Sequence, residues 1–245
     1  GTYLLRKCLT NKLELMQKTK IKVDIVSDVV CPWCYIGKRR IEKAMAELNE
    51  QFEFEVSYLP FELNPQTPKE GFNQKEYLAK KFGGEARYNE ITKQVTAAAA
   101  EEGLAFDFSK QNVSPNTRDA HRIIQYAKAE GKQLAVKEAF MKAYFEEGVN
   151  LTKKENLLLV SEHAGLNREE ISHLLDSEEG LAEVILTENT NHQRGISGVP
   201  YYIINNQYGI SGAQPTDVFV KALTQIGNES VATEGEACAV DGSDC

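Results

Sequence analysis

The stretch Ile21-Lys22-Val23-Asp24-Ile25-Val26-Ser27-Asp28-Val29-Val30-Cys31-Pro32-Trp33-Cys34 decides the fold. Its first seven residues are rich in β-branched side chains with polar interruptions, the composition of a strand. Beyond Cys34, Ile41, Ala44, Met45 and Leu48 recur at the i, i+3, i+4, i+7 spacing of a helix face. Pro32 suits the first turn of that helix, where a missing N–H costs nothing. Cys31 then sits at the helix N-terminus, where free amides and the dipole are expected to lower its pKa. Cys34, one turn in, is expected to be more buried and protonated. One reactive and one resolving thiol is the layout of disulfide exchange. A bare C-x-x-C is also half of a zinc site. Here no second C-x-x-C follows, and the strand-before, helix-after context favours redox chemistry.

A chain of 245 residues is long enough to bury a proper core. The net charge of −8 argues against a nucleic-acid surface. No run of about 18 apolar residues exists, so no membrane helix is expected. Five cysteines in a chain this long do not make a stapled secreted scaffold. The first residues carry Arg6, Lys7, Lys12 and Glu14 without an apolar stretch, which fails as a secretory signal. Residues 1–19 are expected to be an extension outside the fold, with Cys8 idle, and the protein to be cytoplasmic.

Outward from the opening stretch, residues 52–59 alternate apolar and polar, a half-buried strand, and residues 61–68 hold two prolines, a loop. Strand, helix, strand makes a βαβ unit. Residues 73–194 then read as helices: 85–102, 120–130, 132–147, 155–164, one starting at Asn167, and one carrying Leu181, Val184 and Ile185. Asn116-Thr117 and a Thr152-to-Glu155 capping box mark two of the starts. Strand chemistry returns at 199–204, with Asn205-Asn206 as a hairpin turn and 207–211 as its partner. A last helix starts near Thr216, and its periodicity fades after Gly227. The expected architecture is α/β with a large all-helical insertion; strand, C-x-x-C, helix, then Gly198-Val199-Pro200 opening a hairpin resembles a thioredoxin-like fold so interrupted. Residues 20–68 and 196–227 form the discontinuous parent domain, 69–195 the insertion, and 228–245 a flexible tail.

The motifs also resemble a family. Residues 28–38 around Cys31-Pro32-Trp33-Cys34, then Asn116-Thr117 with Ala120-His121-Arg122, Ala143-Tyr144-Phe145, Gly198-Val199-Pro200 and residues 211–215 look like the FrnE-like thiol-disulfide oxidoreductases of the DsbA family. The resemblance implies a cis Pro200 packed beside the Cys31 sulfur, with the Val199 backbone free to pair with a substrate strand. It also implies that the helix from Asn116 to Arg122 lines the active cleft, which makes His121 a candidate substrate-binding residue. Sister groups of this fold, the 2-hydroxychromene-2-carboxylate isomerases and kappa-class glutathione transferases, place a serine where this chain has Cys31.

The expected catalytic residues are therefore Cys31, Cys34 and Pro200, with Val199, Trp33, Pro32 and His121 toward the substrate. Trp33 is expected as an exposed apolar lip. Asp28, three residues before Cys31, either relays protons to Cys34 or caps the turn. Cys238 and Cys245 flank a turn-forming Asp241-Gly242 and are candidate modulators, as a disulfide of their own or as a shuttle to Cys31 and Cys34. The expected partners are protein or small-molecule thiols and disulfides, with glutathione a candidate co-substrate. No metal or organic cofactor is required, and the chain is read as a monomer or homodimer. The competing readings are a glutathione-dependent isomerase or transferase and a non-catalytic peptide-binding chaperone.

Overall fold

The computed structural model describes residues 18–239. Strand β1 (Thr19–Ser27) leads into helix α1 (Pro32–Glu47), and β2 (Phe52–Pro60) returns parallel to β1. Every β1 residue from Val23 to Ser27 is buried. A central strand covered on both faces loses the alternation that a half-solvated strand keeps. The middle of the chain holds β3 (Phe72–Asn73), α2 (Gln74–Phe82), α3 (Glu85–Glu101), a 3-10 turn (Phe108–Lys110) and β4 (Val113–Ser114). It continues through α4 (Arg118–Ala129), α5 (Gln133–Phe145), α6 (Lys154–His163), α7 (Arg168–Leu175) and α8 (Leu181–Gln193). Then β5 (Tyr201–Ile204), β6 (Tyr208–Ser211) and α9 (Thr216–Ala239) complete the fold.

The main sheet has the order β2-β1-β5-β6, with β5 antiparallel to both neighbours. This is the expected thioredoxin-like fold with a large inserted segment. The insertion is not wholly helical, because β3 and β4 pair as a short antiparallel ribbon. One apolar cluster joins the two parts, running from Ile25, Ile36 and Ile41 to Ile123, Phe140 and Phe219. Asn205 and Asn206 turn the hairpin with φ of +52° and +55°. Those are the left-handed values a two-residue hairpin needs and asparagine tolerates.

Four local readings change. Helix α2 has little apolar periodicity; instead Asn73 Oδ1 accepts from Glu76 N at 3.1 Å, and Gly83, at φ +94°, ends the helix. The capping box at Thr152 does not form: Thr152 Oγ1 donates to Asn150 Oδ1 at 2.7 Å, and α6 starts from Lys153 without a side-chain cap. Thr117 likewise caps α4 without its side chain, whereas Asn116 Oδ1 accepts from Arg118 N at 3.0 Å. Helix α9 does not stop at Gly227 but runs to Ala239, so the first part of the expected flexible tail is helical. A Cβ on Gly227 would overlap the Phe52 ring, so this glycine serves close packing rather than termination. The next turn is tied to the hairpin, with Tyr208 Oη donating to Glu229 Oε2 at 2.6 Å. Cys8 and Cys245 lie outside the described residues, and with Cys245 the expected Cys238–Cys245 pairing. Among the described residues no helix is long and apolar enough to cross a membrane.

Candidate active site

Cys31 is the N-cap of α1, with Pro32 in the first turn and an extended backbone at φ −90° and ψ 112°. Its sulfur accepts the Cys34 N–H at 3.2 Å. The turn before it is closed by Cys31 N donating to Asp28 O at 3.3 Å. The other end of the chain supplies Val199, whose carbonyl oxygen lies 3.8 Å from Cys31 Sγ. The Val199–Pro200 peptide bond is cis. Both cysteines are free thiols and buried.

The two thiols do not ionise independently. Burial pushes the Cys31 thiol up, and the hydrogen bond to Cys34 together with its charge pushes it further; only the Cys34 N–H pulls it back. For Cys34, burial also opposes ionisation, but it is outweighed by donation from Cys31, the nearby Lys137 ammonium, the Asp28 backbone N–H and the Ser27 hydroxyl. Cys34 therefore lies below the ordinary cysteine value. This reverses the expectation of a low-pKa Cys31 beside a protonated Cys34. The physical reason is that donors converge on Cys34 from several elements, whereas Cys31 has the helix amides alone. The pair loses one proton readily and the second with difficulty, as two coupled sites do.

Behind the dithiol lies a buried polar cluster. His121 is 1% exposed, and its Nε2 lies 3.1 Å from Asp28 Oδ1 and 3.0 Å from Phe61 O. Both are acceptors, so Nε2 carries the proton. Asp28 Oδ2 accepts from Leu63 N at 2.8 Å. Burial works against the Asp28 carboxylate, but His121, Leu63 N–H and Lys137 together hold it below the usual range. Asp28 thus both anchors the turn, through its main chain, and places a charge beneath the cysteines. Lys137 on α5 is also 1% exposed, with Nζ 5.3 Å from the Tyr58 ring centroid. Burial brings its ammonium down to about 8, while Cys34, Asp28 and Cys31 pull it back up. The sequence reading passed over Lys137. Its signal is position: it lies on the buried face of α5 with Gln133, Phe140 and Tyr144.

Cys31 opens onto a cleft of about 310 Å³ between α1 and the inserted segment. Leu78, Ile91, Val95, Phe108, Tyr144 and Phe145 contribute to its walls, and among the described residues that line it Lys81 is the one that is charged. Pro32, Trp33 and Val199 lie at the same cleft, and Trp33 is 41% exposed. His121 does not line it; the imidazole is turned inward to Asp28 and Phe61. The start of α4 faces elsewhere too, with Asn116, Arg118 and Arg122 lining a separate polar pocket with Lys69. The expectation that this helix walls the cleft therefore does not hold, because Arg122 is drawn inward by Glu179 O at 2.8 Å and Leu174 O at 2.6 Å. The walls come instead from α2, α3 and α5.

The chain matches the model of the DSBA-like thioredoxin domain over residues 22–224. The chain belongs to this family. It is similar to the crystal structure of a probable DsbA oxidoreductase from Streptomyces coelicolor, at 35% identity and a TM-score of 0.79, covering 84% of this chain and 89% of that one. It shares its fold with a 2-hydroxychromene-2-carboxylate isomerase, at 18% identity and a TM-score of 0.64, covering 86% and 98% of the two chains. A third relative in fold is the cytosolic disulfide reductase DsbM of Pseudomonas aeruginosa, solved with GSH, at 15% identity and a TM-score of 0.61, covering 84% and 98%.

Proposed function

We propose that this protein is a thiol-disulfide oxidoreductase that exchanges disulfides with protein or small thiols through Cys31 and Cys34. The observation that carries the reading is the placement of the Cys31 sulfur. It sits at the N-cap of α1, beside the Val199 carbonyl, at the foot of an apolar cleft. The fold alone does not choose between oxidoreductase and isomerase. The second thiol, Cys34, whose N–H donates to Cys31 Sγ, supports the oxidoreductase reading, since an isomerase has no need of a resolving cysteine.

The step toward reduction of a partner runs as follows. In the singly ionised reduced pair the remaining proton is on Cys31 and the negative charge on Cys34, the direction in which the two thiols are shifted. As a disulfide enters the cleft, the Cys31 proton passes along the existing hydrogen bond to Cys34. The Cys31 thiolate then attacks one sulfur of the partner, a mixed disulfide forms and one partner thiolate leaves. That thiolate takes up the Cys34 proton, and Cys34 attacks Cys31 Sγ and expels the second partner thiolate. The partner gains two electrons and one proton, and the Cys31–Cys34 disulfide remains. The reverse sequence oxidises a dithiol. DsbM is a cytosolic disulfide reductase, which supports the same chemistry and compartment here, and its bound GSH makes glutathione a co-substrate to test first.

The experiment is turnover of a peptide disulfide by the wild type, Cys31→Ser and Cys34→Ser. Cys31→Ser abolishes exchange, and Cys34→Ser accumulates a mixed disulfide on Cys31 that mass spectrometry identifies. Exchange surviving in Cys31→Ser, or glutathione-dependent isomerase activity surviving in Cys34→Ser, overturns the reading.

A further inference from the structure

The cleft at Cys31 is apolar except for a few side chains, and two of these are already bonded within the protein. Thr92 Oγ1 donates to Tyr88 O at 2.9 Å. Gln111 Oε1 accepts from Gln74 Nε2, and Gln111 Nε2 donates to Tyr144 O, both at 3.2 Å. Lys81 differs from them. It is exposed on α2, and its Nζ lies 6.0 Å from the Tyr77 ring centroid, the outer limit of a cation–π contact. Among the described residues Lys81 has no ion pair. Glu85, one turn further on, is taken by Lys75.

Lys81 also lines a second hollow of about 630 Å³, together with Phe72, Asn73, Glu76, Tyr77 and Lys80. Phe72 and Tyr77 stack there with ring centroids 4.9 Å apart. The cleft and this hollow therefore adjoin at Lys81. In order from the sulfur, the surface is apolar, then cationic, then aromatic. A small thiol needs only the first part. An extended polypeptide uses the whole, with a bulky apolar side chain in the cleft and an acidic one at Lys81. The chain as a whole carries a charge of −8, so an acidic partner is repelled in general and is held only by a local cation.

We propose that Lys81 is a specificity-determining residue: it selects polypeptide disulfides in which the attacked cysteine lies next to a large apolar residue and close to a carboxylate. The proposal rests on the oxidoreductase reading and names the substrate class of its cleft. Lys81 takes no part in the sulfur chemistry; Cys31 and Cys34 carry the electrons as above.

The probes are capped peptides Xaa-Gly-Phe-Cys-Phe-Gly-Xaa, joined as disulfide dimers, with Xaa as Asp, Asn or Lys. Wild type, Lys81→Met and Lys81→Glu reduce them, and kcat/KM is compared between peptides within each protein. Lys81 is exposed, so neither substitution disturbs the core. Wild type is expected to prefer the Asp peptide to the Asn peptide about fivefold, the upper range of a solvent-exposed ion pair. The preference should lie in KM rather than kcat, since the carboxylate is bound equally before and during exchange. It should shrink in 1 M salt. In Lys81→Met the ratio should fall to about one, and Lys81→Glu should prefer the Lys peptide. Replacing both Phe by Gly should cost wild type about tenfold, the loss of a buried aromatic side chain. A wild-type Asp-to-Asn ratio near one, a ratio unmoved in Lys81→Glu, or indifference to the loss of Phe overturns the proposal. A wild type that exchanges none of the peptides overturns the oxidoreductase reading instead. Fluorescence polarisation with peptides carrying Ser in place of Cys then decides Lys81 from the same ratios of affinity, and absence of binding overturns it.

Discussion

The Asp28 carboxylate and the His121 imidazole meet 3.1 Å apart, across 93 positions of the chain. The contact ties the turn before Cys31 to the second turn of α4, and so couples the dithiol to the inserted helices. Asp28 is held below its ordinary value, so the stability it contributes is present above the unfolded value. That stability is lost as pH falls through the folded value. Asp28→Asn keeps the shape but sets an amide against the His121 N–H. It is expected to cost about 2 kcal/mol at pH 7. Urea unfolding from pH 7 to pH 3 checks this: the gap between variant and wild type should narrow in acid, and a constant gap would count against an ionised Asp28.

The dithiol is expected to release its two protons in well-separated steps, the first below the ordinary cysteine value and the second well above it. Lys137→Met removes the ammonium near Cys34 and should move the first step upward. A thiolate titration of the reduced protein reads both. Two overlapping steps near 8.5, the value of a free cysteine, would refute the coupling.

Gly37 lies inside α1, where propensity alone makes alanine the better residue by about 1 kcal/mol. The packing says otherwise: a Cβ there would overlap the Tyr202 hydroxyl. Tyr202 is fully buried, so it has no room to retreat. Gly37→Ala is therefore expected to destabilise by about 1–3 kcal/mol, the cost of overpacking. A rise in thermal midpoint would show that the ring moves freely.

Glu188 on α8 is pushed up to about 8, first by burial and then by the charge and hydrogen bond of Glu62, with Arg118 opposing. Arg118 Nη2 is 2.9 Å from Glu62 Oε2 and keeps that carboxylate paired. A carboxyl raised in the folded state gives stability that is complete below its unfolded value and lost as pH rises through about 8. Wild type should lose thermal stability steadily from about pH 5 to about pH 8. Glu188→Gln, which stays neutral, should flatten that decline. Parallel melting curves across the range would rule out a protonated Glu188.

Much of this protein was determined by short-range signals in the sequence. The β-branched run before Cys31, Pro32 after it, the helical spacing of Ile41, Ala44 and Leu48, and the Asn205-Asn206 turn each act within a few residues. Backbone preference and local periodicity were therefore enough to define the strand–dithiol–helix junction and the closing hairpin. Other features were decided only in three dimensions. Lys137 and His121 look like ordinary helical residues until α4 and α5 pack behind the dithiol. There burial and neighbouring charge, absent from the unfolded chain, set their roles. The same packing moved the low pKa from Cys31 to Cys34, since Ser27, Asp28 and Lys137 approach that sulfur from separate elements. Gly227 reads as a helix stop and is a packing contact, because the Phe52 ring that occupies its side-chain space lies 175 residues earlier in the chain. Local sequence encodes which backbone shapes are favourable. Which side chains lose water, and beside what charge, is decided only when distant segments meet.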